Sequence, residues 1–334
     1  MIRKLSCFSL VLIFSSCSSL KYATLYERES GIPKHARGVF IDDKHIITSG
    51  HDGNIAFSSS KEIDFKHYHL DSLEDFRDVH FSNNRIFAMN SGNLGEIWLV
   101  DLITSSRNPV FKREGVFLDG MDFNANNQAV AFGDPIDQKI TVLLSKNGGN
   151  SWYVCDPNHL PTAQIGEAGF AASGSGIKLF DDGTIYIGTG GGETANLYKS
   201  ENFGETWNIL STPMQSGGSY GIYSMFFWSK NEGVIIGGSY EHKDDHENIC
   251  FITTDAGKSW TNISKGLPGY CSAINGTSNG DLLFASGRSG VYYSKNKGEK
   301  WVMLWEESYY TIGIYDKKVV FSGREGKLKV IELQ

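Results

Sequence analysis

The chain has 334 residues, 31 basic and 38 acidic, with a formal net charge of −7 and 40% hydrophobic and 13% aromatic content. That is enough apolar material for a full core, so disordered and fibrous classes are excluded. Its 38 glycines and 7 prolines, against usual frequencies of about 7% and 5%, suit many short strands joined by tight turns, not helical bundles or collagen. Beyond Leu20 no apolar run approaches the roughly 18 residues that span a bilayer, and the acidic balance argues against nucleic acid as a partner.

The N-terminus reads as an export signal over residues 1–16. Arg3 and Lys4 supply the positive start and residues 8–14 the short apolar segment. Phe14-Ser15-Ser16-Cys17 resembles the bacterial lipobox, in which the cysteine is diacylated and becomes the mature N-terminus; more than one acyl chain anchors stably where a single one does not. Ser18 and Ser19 carry no acidic retention signal, so a lipid anchor at Cys17 in the outer membrane is expected, with a free periplasmic protein as the alternative. Removing this leader takes away two positive charges and no acid, leaving the mature chain still more acidic. Cys155, Cys250 and Cys271 remain; three widely spaced cysteines form no disulfide framework or metal knuckle and read as buried thiols.

The body is periodic. An apolar strand running into a small-residue turn recurs at 46–50, 86–92, 129–133, 185–188, 234–237, 282–287 and 319–323, roughly every 45 residues, which predicts seven four-stranded units. A second repeat, Ser/Thr-x-Asx-x-Gly-x-x-Trp, occupies 145–152, 200–207, 253–260 and 294–301, with Asn147, Asn202, Asp255 and Asn296 at the Asx position and Trp152, Trp207, Trp260 and Trp301 at the end. It resembles the Asp-box (BNR repeat) of sialidase-like propellers. The chemistry is that of a strand-to-strand turn, with Asx folding back on backbone N–H groups, Gly at positive φ and Trp packing between layers. The last unit holds only three strands, at 311–314, 319–322 and 328–333, and 22–26 supplies the fourth. The expected architecture is all-β: residues 17–334 form one seven-bladed β-propeller of four antiparallel strands per blade, its last blade closed by the N-terminal strand.

In such a ring the loops entering each inner strand, and those between second and third strands, surround one mouth of the central channel. The first set brings Arg37, Arg77, Asp119, Asp122, Glu167, Tyr220, Tyr223, Tyr270 and Tyr310 there; the second brings His51, Asp134, Asp137, Glu193, His242, Arg288 and Arg324. Exposed mouths need no such density of charge and aromatic rings for packing, which marks this face as a binding surface. Asp119, Asp122, Asp134 and Glu167 are the candidate catalytic acids, with Asp122 and Asp137 placed beside Asp119 and Asp134 in neighbouring loops. The glycine run 188–192 lacks both a following Lys-Ser/Thr and a helix, so it is no phosphate cradle. His242-Lys243-Asp244-Asp245-His246 reads as a solvated loop, and neither metal nor cofactor is expected.

Over nearly its whole mature length the chain resembles the photosystem II stability and assembly factor-like seven-bladed propellers, closest to an exported bacterial branch, through segments 119–123, 133–137 and 167–174. The resemblance implies a scaffold that holds a protein partner against the membrane, and Arg37 and Arg77 match that family's tendency to place arginines on one face. Members of the branch carry the label oxidoreductase, although no dinucleotide fingerprint, CxxC or haem motif is present here. Three functions stay open at this point: a binding module for an envelope protein or glycan, a glycoside hydrolase of the sialidase-like kind acting through a carboxyl pair, and an oxidoreductase. Sialidases carry an Arg-Ile-Pro segment near the start; this chain has Gly31-Ile32-Pro33.

Overall fold

The computed structural model describes residues 19–59 and 64–334; the proposed leader and Cys17 lie outside them. The glycine-terminated apolar repeats become the second strands of seven antiparallel sheets, each of four strands. The innermost strands are Ala36–Ile41, Phe76–Ser82, Leu118–Phe123, Ile177–Leu179, Tyr220–Phe227, Cys271–Gly276 and Thr311–Tyr315, here numbered blades 1 to 7. Each packs on its two neighbours in turn, and blade 7 returns to blade 1, so the sheets form a closed ring. Among the described residues the only helical pieces are two short 3-10 turns, and no helix is long and apolar enough to cross a membrane.

Closure follows the expected route. Tyr22–Glu29 pairs antiparallel with Lys327–Leu333, from Tyr22 opposite Leu333 to Glu29 opposite Lys327. It forms the outer strand of blade 7, in which the other three strands come from the C-terminus. The first described strand thus hydrogen-bonds to the last, and a three-stranded blade with an open edge is avoided.

Most of the core lies in seven parts, one between each pair of neighbouring blades, because a sheet standing between two others buries both its faces. This explains why the strands read as continuous apolar runs instead of alternating ones. Between blades 3 and 4, Phe132 and Val142 meet Ile177, Ile187 and Tyr198. Between blades 6 and 7, Phe284 and Tyr293 meet Phe321 and Ile331, with Phe284 edge-on to Phe321 at 5.9 Å between ring centres. Cys155, Cys250 and Cys271 are buried free thiols within this packing.

The four Asx turns all join third to fourth strands, on the face away from the mouth, and share one hydrogen-bond plan. The first-position hydroxyl accepts the glycine N–H at 2.9 Å in every copy. The Asx Oδ1 accepts the N–H four residues on, at 2.8–3.1 Å. Only one side-chain oxygen is used for that bond, so Asn serves as well as Asp. The glycines take φ of +83° to +90°, left-handed backbone that other residues enter at a penalty. The tryptophans follow a rule of their own: Trp152, Trp207, Trp260 and Trp301 each join the packing between their blade and the preceding one. The turn therefore also staples one blade to the next.

Phe284 is fully buried, so Phe284→Ala removes a ring from the blade 6–7 interface and should lower unfolding free energy by about 3–5 kcal/mol. Urea melts of the two proteins measure this; a loss below about 1 kcal/mol would show that the interface repacks freely.

Candidate functional site at the channel mouth

The side chains at the mouth are aimed by a repeated irregularity. In blades 1, 2, 3, 5 and 6 the pairing of the first two strands slips by one residue near the start of the inner strand, and the residue inside the slip is Arg37, Arg77, Asp119, Tyr223 or Ser272. A β-bulge leaves its extra residue unpaired and re-aims it. Five blades thus each turn one side chain toward the channel at the same level.

Blade 4 departs from this plan. Its inner strand starts late, and the preceding segment, 164–176, crosses the channel instead. Arg77 Nη1 donates to the Ala171 carbonyl and Arg37 Nη1 to the Ala172 carbonyl, both at 3.1 Å. Gly169 N–H donates to Asp134 Oδ1 at 3.0 Å. Ser173 Oγ donates to the Ser272 carbonyl at 2.8 Å, and Ser175 Oγ meets Ser224 Oγ at 2.6 Å while its carbonyl accepts Met225 N–H at 2.8 Å. Blades 1, 2, 3, 5 and 6 all grip this one segment, which plugs the ring. Its small residues are a steric requirement: a Cβ on Gly169 would lie 2.2 Å from Asp119 Oδ2, and one on Gly174, already at φ +74°, 2.3 Å from Asp78 Cγ. This small-residue segment is taken up with contacts to the protein's own ring.

Above the plug the mouth has two halves. On one, Arg37 and Arg77 lie close enough that each repels the other; burial first, then Arg77, lowers the pKa of Arg37. Arg37 lies over the Tyr310 ring at 4.2 Å, and Arg77 Nη2 sits 3.5 Å from Asp75 Oδ2. Each guanidinium has five N–H donors, and the Nε of both is buried without a partner. On the other half, Phe170 stacks on Tyr223 with ring centres 4.0 Å apart, and Tyr223 meets Tyr270 edge-on at 4.8 Å.

The four candidate acids do not converge. Asp119 is buried under the plug with both oxygens lacking a hydrogen-bond partner; burial, and then Asp134, push its carboxyl well above the usual range, and Arg77 only partly offsets this. Asp134 is likewise raised by burial. Glu167 is internal, with Oε2 accepting Gln164 N–H at 2.7 Å and Oε1 accepting Thr189 Oγ1 at 2.5 Å and Asn196 Nδ2 at 3.0 Å, so it fastens the start of the plug to blade 4. Asp122 sits at the other end of the inner strand, against Lys178 Nζ at 2.8 Å and the N–H groups of Leu179 and Phe123. Sequence adjacency put it beside Asp119; three residues of extended chain carry it to the opposite end of the channel.

The remaining candidates form a rim. Asp137 and Glu193 are exposed, as are Arg288 and Arg324, the last paired with Glu325 at 3.3 Å. The Tyr220 hydroxyl donates to Asp245 and its ring stacks on His242 at 5.7 Å. A cavity of about 640 Å³ opens on the far side of the plug, lined by Ile41, His80, Asp122, Phe123, Asn275 and Ile314 among others. Its charged groups already have partners, and burial lowers His80 to about 4, leaving that ring neutral.

Beside the arginines lies a group of which the sequence reading named only His51 and missed His35 and Asp75. His35 Nε2 is 3.3 Å from Asp75 Oδ2, and His51 Nδ1 is 2.7 Å from Asp75 Oδ1. The bonds from both imidazoles, that from His35 first, hold the Asp75 carboxyl below the usual carboxylate range. A positional signal was available: His35 and Asp75 each stand two residues before a bulged arginine, so aligning the blade entrances places them side by side.

Two expectations follow. A buried acid with a raised pKa keeps its proton in the folded state after the unfolded chain has lost it, so stability falls as pH rises above about 4, by about 1.4 kcal/mol per pH unit for each such group. Asp119→Asn has no hydrogen bond to lose and should flatten the fall in urea-melt stability between pH 5 and 7 by about that slope; an unchanged slope would show that Asp119 is ionised. Gly169→Ala should destabilise the protein by about 1–3 kcal/mol through overpacking against Asp119 and Phe132. Retention of full stability in thermal melts would show that the plug yields.

No family model and no curated protein matches the chain. Among solved structures, U3-55K aligns with a TM-score of 0.68 at 12% identity, covering 93% of this chain and 98% of that one. YCF48 bound to a D1 peptide aligns with a TM-score of 0.63 at 11% identity, covering 94% and 95%. A total of 1436 solved chains match, so widespread a likeness at such low identity that it establishes one thing: the chain is a seven-bladed β-propeller.

Proposed function

We propose that this propeller is a scaffold that binds a carboxylate-bearing segment of a protein partner at the plugged mouth, and that it does so in the cell envelope, anchored through Cys17. The observation that carries the reading is the pair Arg37 and Arg77: two half-buried cations side by side, each donating to one plug carbonyl, with Asp75, which Arg77 also reaches at 3.5 Å, beside them. An incoming carboxylate relieves their mutual repulsion and accepts the donors left over, in the forked geometry that guanidinium groups favour. The aromatic half, Phe170, Tyr223, Tyr270 and Tyr310, supplies apolar contact area beside that charge. A protein partner is further supported by the likeness to YCF48, which is described with a bound D1 peptide.

Hydrolysis of glycosides finds no comparable support: Asp119 and Asp134 lie near each other against Gly169 of the plug, Asp122 and Glu167 have surroundings of their own, and Asp119 and Glu167 are buried. The anchor and the outer-membrane location rest on the leader and on Cys17 alone.

The test is affinity capture from envelope extract with wild type beside Arg37→Ala and Arg77→Ala. Each variant should reduce recovery of the partner at least about tenfold, and added salt should weaken the wild-type capture. An identical set of captured proteins across all three baits would exclude this face.

A further inference from the structure

We infer that His35, His51 and Asp75 form a binding site for one divalent transition-metal ion of the zinc type. This does not depend on the peptide-binding reading. Nitrogen and oxygen donors in a two-histidine, one-carboxylate set are the ligands such ions take, and three protein ligands with an open fourth position characterise sites in which the ion keeps an exchangeable water. The three ligand atoms all lie within 4.8 Å of one another. With bonds of about 2.0–2.1 Å, a tetrahedral ion needs ligand–ligand edges of about 3.3–3.4 Å. The His35 Nε2 to Asp75 Oδ2 separation is 3.3 Å, that edge and longer than a charge-assisted hydrogen bond of about 2.7–2.9 Å. The His51 contact, at 2.7 Å, is a hydrogen bond that the ion replaces, the ring then carrying its one proton on Nε2.

The backbone under these side chains is held independently of them. His51 N–H donates to the His35 carbonyl at 3.1 Å, and Ser91 N–H to the Asp75 carbonyl at 2.9 Å; His35 also bridges to Arg324 in blade 7. The trio thus draws on the entrances of blades 1 and 2 and is fixed by the ring. Side-chain exposure of 20–23% leaves a way in for an ion while shielding it from bulk solvent. His35 Nδ1 is buried and has no hydrogen-bond partner, so nothing on that side pins the ring against the small rotation that brings three atoms to one centre. Arg77, 3.5 Å from Asp75, is the opposing charge. It weakens the site for a bare cation, and a water or hydroxide as fourth ligand offsets that repulsion.

The experiment is a zinc titration of the EDTA-treated chain, purified without a histidine tag, against a chromophoric chelator, with a parallel Co²⁺ titration read by its visible ligand-field bands. Wild type should take up one equivalent of zinc and give protein-dependent Co²⁺ bands. Asp75→Asn and His51→Ala should each weaken zinc at least tenfold, while His242→Ala/His246→Ala in the exposed loop leaves affinity unchanged. Lack of uptake by wild type, or wild-type affinity in Asp75→Asn and His51→Ala, overturns the site, as does loss of binding in the loop double variant. If a single variant fails to fold by circular dichroism, the wild-type cobalt spectrum still decides: absence of protein-dependent bands overturns the proposal.

Discussion

The segment that crosses the channel ahead of blade 4 sets the character of this propeller. A ring of seven sheets leaves a hole at its axis, and polar backbone can enter that hole only if its donors and acceptors find partners there. Here the carbonyls of Ala171 and Ala172 find Arg77 and Arg37, the N–H of Gly169 finds Asp134, and Ser173 and Ser175 reach two further blades. The plug gives the ring a shared internal contact beyond neighbour-to-neighbour packing. It also divides the axis into a shallow charged mouth and a deeper cavity.

That division explains the electrostatics. Carboxyls beneath the plug, Asp119 and Asp78, are buried; burial pushes Asp78 up to about 8 despite the N–H bonds it accepts, and Asp119 has no bonds to offset its burial. Neutral acids below cannot neutralise the arginines above, which are left with one carbonyl each and a shared Asp75. The positive character of the mouth is therefore a consequence of how the channel is closed, in a chain whose net charge is negative. A surface so arranged attracts an anionic group locally while the molecule as a whole does not attract polyanions.

Asp75 links the two features. Its carboxylate faces both imidazoles on one side and Arg77 on the other. Any change in what the imidazoles hold alters how much negative charge Asp75 presents to Arg77. The ligand face and the histidine pair share one group, so occupancy of one is coupled to the other.

The blade count, the antiparallel four-stranded sheets, the closure by the N-terminal strand and the chemistry of the four Asx turns could all be read from the residues themselves. Each depends on local rules: the spacing of apolar runs, Asx and Gly at fixed offsets, and a missing strand at one end matched by a spare one at the other. The site could be read only in part. Arg37, Arg77, Tyr270 and Tyr310 lie at the mouth, as their place at blade entrances suggests, whereas Asp122 lies at the other end of the inner strand, since a side chain's end of the channel depends on strand length and on a bulge that local pattern does not reveal. Nor could local pattern show that 169–175 would meet residues from five other blades, or that His51 would join the aligned His35 and Asp75. Those contacts join positions far apart in sequence, and only the closure of the ring brings them within reach.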